Sequence, residues 1–248
     1  MKTSGSPRSL GSCYTMSSTD GFKKVIPISI GPDCLVAKHL KRCGLRNDMR
    51  MPFDWTLFTD PTTWIRILGD QMCGDGFDNI APMYKDEKNH VVSKALRIEY
   101  WHQDLTDLTV EAEYLARVGR LMGVLNGDAE VVFIGSIVPR GTLYIDSLAA
   151  VVNLASDFNT LSTRLKDRYP DLKFRIVLII QVSDGLQSQE ALEDKCAAWH
   201  IADVFNRICL EENISVKFTF SKPHETHPNW GDEGSWGDAL TDIGLLNT

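Results

Sequence analysis

The sequence has no Cys-x-x-Cys pair, no apolar run approaching the ~18 residues of a membrane span, and no surplus of positive charge. The first absence removes the main support for zinc-ribbon and thioredoxin-type readings. The second excludes a membrane-spanning helix. The third follows from 26 Lys and Arg against 33 Asp and Glu, a formal net charge of −7. A nucleic-acid-binding face therefore has no compositional basis. Also missing are G-x-S-x-G, GxxxxGK(S/T), HExxH and a GxGxxG after a strand. Serine-hydrolase, P-loop, zincin and dinucleotide readings thus lack local support. Six cysteines in 248 residues are too dilute for a disulfide scaffold. The first twenty residues carry no apolar stretch of the secretory type. The expectation is a cytoplasmic protein with free thiols and no membrane span.

What is present is an ordinary globular composition, 43% hydrophobic and 24% charged. Residues 1–21, rich in Ser, Thr and Gly, read as a flexible tail, and 22–248 as a single α/β domain. Val25 to Ile30 is an apolar, β-branched run ending at Gly31-Pro32, which predicts a buried strand. A helix follows over 34–43 and is closed by Gly44. A second helix is expected from Asp60 to a stop at Gly69. Residues 70–94 read as an irregular insertion, and Leu96 to Trp101 as a strand delivering His102. Beyond them helices over 110–126, 146–169 and 188–212 alternate with strands over 131–135, 174–182 and 214–220. This alternation predicts a three-layer, mostly parallel sheet with helices on both faces, Rossmann-like in class.

The segment richest in chemistry is Ser29-Ile30-Gly31-Pro32-Asp33-Cys34. A strand gives way to a helix there, and the first-turn amides lack intrahelical partners. A thiol at that place has its thiolate favoured by the helix start. The same amides suit an oxyanion, although Cys34 could equally be a small packed residue. Asp33 opposes activation and could serve simply as the helix cap. A thiolate nucleophile needs a base. His102, at a strand end on the expected rim of Cys34, is the preferred partner, with Asp104 as the orienting carboxylate. Asp54, Asp107 and Asp184 are alternative orienters. His39, on the helix of Cys34, is expected at the surface, and His200 partly buried. Cys196 and Cys209 are expected in the core.

His224 and His227 form a His-x-x-His pair, but the spacing is common by chance, so no metal is expected. No other cofactor is expected either. Trp230 and Trp236 read as residues closing a C-terminal helix onto the core.

Ser29, Gly31 and Cys34, followed by Leu40-Lys41, Gly44-Leu45-Arg46 and Pro52-Phe53-Asp54-Trp55, form an ordered pattern. It resembles a family of uncharacterised domains classed as papain-like cysteine peptidases. The resemblance is specific over 28–55 and extends loosely to Tyr100-Trp101-His102. It implies Cys34 as nucleophile and His102 as base. The alternation of long helices with strands over 131–220 points instead to a doubly wound sheet, so Arg46, Asp54 and Trp55 are read as shaping a ligand pocket. Three functions follow. One is a cysteine-dependent hydrolase or acyl transferase using Cys34, His102 and Asp104, with Ser29, Gly31, Asp33, Arg46, Asp54 and Trp55 at the substrate. The second is a nucleotide-sugar-dependent transferase of polysaccharide assembly in which Cys34 only packs. The third is a non-catalytic domain recognising a partner through Trp64, Trp230 and Trp236. The expected substrate is a small molecule, peptide or glycan, and the oligomeric state is left open.

Overall fold

The computed structural model describes residues 25–46, 49–58, 63–74, 84–86, 91–93, 98–100, 103–138, 148–183, 189–221 and 232–246. The tail 1–21, His90, His102, Asp184, His224, His227 and Trp230 lie outside these residues.

The architecture is mixed α/β. Strands β1 (Val25–Ser29), β6 (Glu130–Ile137), β7 (Lys173–Ser183) and β8 (Ile214–Ser221) form a parallel four-stranded sheet in that order. Helices α4 (Leu148–Arg168) and α5 (Gln189–Ile208) provide the crossovers β6–α4–β7 and β7–α5–β8. Parallel neighbours need such long connections because each strand must restart at the same end of the sheet. Successive side chains of the central strands enter different cores, as a period of two requires. Val131 and Phe133 join one cluster, with Leu154, Phe158 and Phe205. Val132 and Ile134 join another, with Leu40, Trp236 and Leu240. The second cluster holds residues of α1 (Leu35–Arg42) and α6 (Glu233–Asp242).

The long connection from β1 to β6 departs from the expectation of an irregular insertion. It contains a second sheet, wholly antiparallel, of β2 (Leu57–Phe58), β5 (Ile98–Tyr100), β4 (Val91–Ser93) and β3 (Tyr84–Lys85) in that order. β5 falls within the strand expected over Leu96 to Trp101, whereas β2, β3 and β4, of two or three residues each, are too short for alternation to reveal. The Phe58 N–H donates to the Pro32 carbonyl at 2.9 Å, joining this sheet to the turn after β1. Helix α2 (Trp64–Cys73) and α3 (Leu108–Leu125) complete the connection.

Gly69 does not stop α2, which runs on to Cys73. A Cβ at Gly69 would lie 3.4 Å from the Arg164 guanidinium and 3.6 Å from Leu161. These are ordinary contact distances, so Gly69 is an interior helix position facing α4 and neither a stop signal nor a forced close approach. Trp64 and Trp236 are both fully buried. Trp64 packs edge-on to Phe158, and the Trp236 indole N–H donates to the Gln181 carboxamide at 2.9 Å. Neither is placed to recognise a partner, because each fills a core cluster. His39, expected at the surface, is also fully buried and lies flat against Trp236 at 4.3 Å. The reason is α6, which covers that side of α1. Cys196, expected in the core, and His200, expected partly buried, are both exposed, whereas Cys209 is partly buried. No described helix is long and apolar enough to cross a membrane.

Gly135 carries a sharp packing constraint. A Cβ there would come within 2.8 Å of the Trp64 ring. Gly135→Ala is expected to cost about 1–3 kcal/mol, the usual range for overpacking. Urea unfolding measures it, and the cost should shrink in a Trp64→Phe background, where the ring no longer reaches the site.

Candidate functional site

The β1–α1 turn is built tightly. A Cβ at Gly31 would sit 3.2 Å from both the Asp33 carbonyl and Val36. The Asp33 carboxylate accepts the Leu35 N–H at 2.9 Å and so caps α1. Burial pushes the Asp33 carboxyl up, and the Leu35 bond pulls it partly back. Cys34 occupies the N-cap position, with no side-chain capping bond. Its thiol is also pushed above the ordinary value, first by burial and then by the Asp33 carboxylate. Its own backbone amide and Lys38 pull in the other direction but do not prevail. The helix start favours negative charge, but desolvation outweighs it, and Asp33 has already taken a first-turn amide. Ser29, in β1, is fully buried.

The strand leading to His102 is β5, which pairs with β2 and β4 and not with the parallel sheet. The shared-rim argument that paired His102 with Cys34 assumed one sheet. Asp104 is engaged elsewhere, accepting from Lys85 Nζ at 2.5 Å and from both the Thr106 N–H and hydroxyl. These donors hold its carboxyl below the usual range. Asp107 caps α3 by accepting from the Thr109 and Val110 amides.

The Pro-Phe-Asp-Trp stretch has a clear local logic. Pro52 pre-sets φ for a turn that begins at Met51. The Asp54 N–H donates to the Met51 carbonyl at 3.3 Å, and the Asp54 carboxylate accepts the Met51 N–H at 2.7 Å. Phe53 plunges into the core with no exposure. Arg46 donates to Asp54, and its other terminal nitrogen donates to the Pro27 carbonyl of β1 at 3.2 Å. Burial pushes the Asp54 carboxyl up, opposed by Arg46, the Met51 amide and, more remotely, Arg117. Of the four motif residues, only Trp55 is half-buried rather than buried.

Two cavities meet at Trp55 and Arg50. The larger, about 380 Å³, runs along α3, with Val110, Glu113 and Arg117 on one wall and Gln103 and Asp104 on another. The smaller, about 100 Å³, has Ala37 and Lys41 of α1 facing Arg46 and Asp54. Arg120 of α3 donates to the Arg50 carbonyl from two nitrogens, at 3.0 and 3.3 Å, which fixes where Arg50 leaves the backbone. Arg46 and Asp54 thus line the smaller cavity, Asp104 the larger, and Trp55 both. The walls of these two cavities do not include Ser29, Gly31, Asp33 or Cys34.

Arg50, Gln103, Glu113 and Arg117 were not singled out in the sequence. Val110, Glu113 and Arg117 recur at helical spacing, but a charged stripe beside an apolar one reads as a solvated face. Among the described residues no cluster of three His, Cys, Asp or Glu could hold a metal ion.

Two outcomes are expected. Cys34 should alkylate with iodoacetamide several-fold more slowly than free cysteine at pH 8, and Asp33→Asn should speed it by removing a charge that opposes the thiolate; peptide mapping reads both. Arg46→Met should cost about 3–5 kcal/mol in urea unfolding by leaving Asp54 buried and alone. Adding Asp54→Leu should recover part of that loss. Compared with known proteins, the chain matches no family model, and no curated protein or solved structure matches it significantly.

Proposed function

We propose that this protein is a group-transfer enzyme of the nucleotide-sugar-dependent type, working without a covalent cysteine, with its substrate in the groove on either side of Trp55. The observation that carries the reading is the placement of Arg46 and Asp54 in one cavity, Asp104 in the other and Trp55 in both, while the Cys34 thiol is held neutral in a separate turn. A half-buried indole between two cavities offers a surface on which a sugar or base ring stacks. Lys41 and Arg50 bring positive charge to the same walls. The Rossmann-like three-layer class is part of the proposal. The separate cores on the two faces of the parallel sheet support it.

The cysteine-hydrolase reading has one observation in its favour. The Phe58–Pro32 bond ties the Cys34 turn to the sheet containing β5, the strand that precedes His102. The resemblance to papain-like domains implies a Cys34–His102 pair across that junction. In this second reading Cys34 attacks a carbonyl carbon, His102 takes the thiol proton and gives it to the leaving amine or alcohol as its bond to that carbon breaks, and water or an acceptor then releases the acyl group from the sulfur.

Thermal shift against a panel of nucleotide-sugars separates the two, since a ligand that binds only the folded state raises Tm by mass action. The proposed transferase should shift with at least one donor. Cys34→Ser should keep that shift and Trp55→Ala should lose most of it. No shift with any donor, together with rapid Cys34 alkylation at pH 6, would favour the hydrolase.

A further inference from the structure

The larger cavity holds two buried polar atoms with unmet bonding capacity and opposite polarity. Arg117 is only 4% exposed, yet its Nη1 has no hydrogen-bond partner. The Gln103 Oε1 is also buried without a hydrogen-bond partner. Both residues line the same cavity. A buried guanidinium donor without a partner costs more than most polar groups, so Nη1 calls for an acceptor from the cavity it lines. Arg117 has one ionic neighbour of its own, Glu113, whose carboxylate is 3.5 Å from Nη2 and is itself largely exposed.

The surrounding charges sort themselves. Asp54 is taken by Arg46, and Asp104 by Lys85. Arg50 and Arg120 act on Arg117 as like charges, with only Glu113 and the already paired Asp54 opposing them. The lining therefore holds two arginines, Arg50 and Arg117, and two carboxylates, of which Asp104 is held by Lys85 and Glu113 is largely exposed to solvent. Converging arginines that repel one another call for a ligand carrying more than one negative charge. Their planar forks match phosphoryl oxygens. The Gln103 oxygen cannot meet such an anion and calls for a donor, which a ligand hydroxyl supplies.

We infer that the larger cavity is the phosphoryl subsite of the groove. Arg117 Nη1 and Arg50 hold the phosphoryl oxygens, and Gln103 Oε1 accepts from a hydroxyl of the same ligand. This rests on the proposed transferase reading and gives it a polarity. The phosphorylated end lies against α3, and the rest of the ligand extends past Trp55 toward the smaller cavity. Nothing in the amino-acid pattern announces this, because Arg50, Gln103 and Arg117 come together from three separate segments.

The test uses the full chain and inorganic pyrophosphate alone, titrated by calorimetry against sulfate at matched ionic strength. Pyrophosphate should bind more tightly than sulfate. Arg50→Ala and Arg117→Lys should each weaken it roughly tenfold or more, the loss expected for a charge-assisted bond. Lys173→Ala, which removes one positive charge at the start of β7, should leave it unchanged. Should Arg117→Lys fail to fold, Arg50→Ala decides. Glucose 1-phosphate should bind more tightly than glucose, and Gln103→Leu should weaken it while sparing pyrophosphate. If pyrophosphate binds no better than sulfate, or both arginine variants leave it intact, the subsite assignment falls. Nucleotide-sugars that still shift Tm would then leave the transferase reading standing. Pyrophosphate that binds through both arginines while every nucleotide-sugar fails would sink the transferase reading and keep the subsite.

Discussion

The Arg46–Asp54 pair is the constraint on which the groove depends. Arg46 reaches from the segment after α1 to the Pro27 carbonyl of β1 and to the carboxylate of Asp54. Asp54 in turn closes the 51–54 turn from both sides. Three stretches of chain are thereby held together at one buried point. A buried ion pair is costly to form and far costlier to break on one side only, so its value lies in specifying geometry. Here the geometry it specifies is the placement of Trp55, the next residue, and of Arg50, which Arg120 clamps from α3.

Electrostatics divides the region into two places of different character. In the β1–α1 turn, burial and a carboxylate keep the Cys34 thiol protonated and use up a helix-start amide. Along α3, arginines crowd a cavity whose nearby carboxylates have other partners or reach solvent. Negative charge is unwelcome in the first place and invited in the second. Charges held inside a cavity are screened less than charges on the open surface, so the proposed anion subsite would act locally and not through the chain's overall charge.

The long elements were legible because their periodicity is strong. Strands β6, β7 and β8 and helices α3, α4 and α5 fall within a few residues of their apolar patterns. Of the antiparallel sheet only β5 was legible, within the strand expected over Leu96 to Trp101, since Tyr84–Lys85 and Leu57–Phe58 are too short to carry a pattern. Gly69 looked like a stop signal, but α2 continues through it to Cys73, because packing against α4 outweighs a single glycine's weak helix propensity. Arg46, Asp54, Trp55 and Asp104 were visible as candidates through their motif and neighbours. Arg117 was not, because a helical arginine next to Val118 looks like any surface charge until another segment buries it.

The amino-acid order by itself determined the secondary elements of the second half, the tight Gly31 turn and the Pro52 turn, since these rest on contacts within a few residues. Tertiary structure alone decided the rest. It brought Gln103 and Arg117 to the cavity at Trp55, turned His39 inward against Trp236 and set desolvation against the helix start at Cys34. The physical reason is that burial and long-range charge depend on which distant segments meet. That meeting comes from packing the whole chain and is encoded in no local stretch of it.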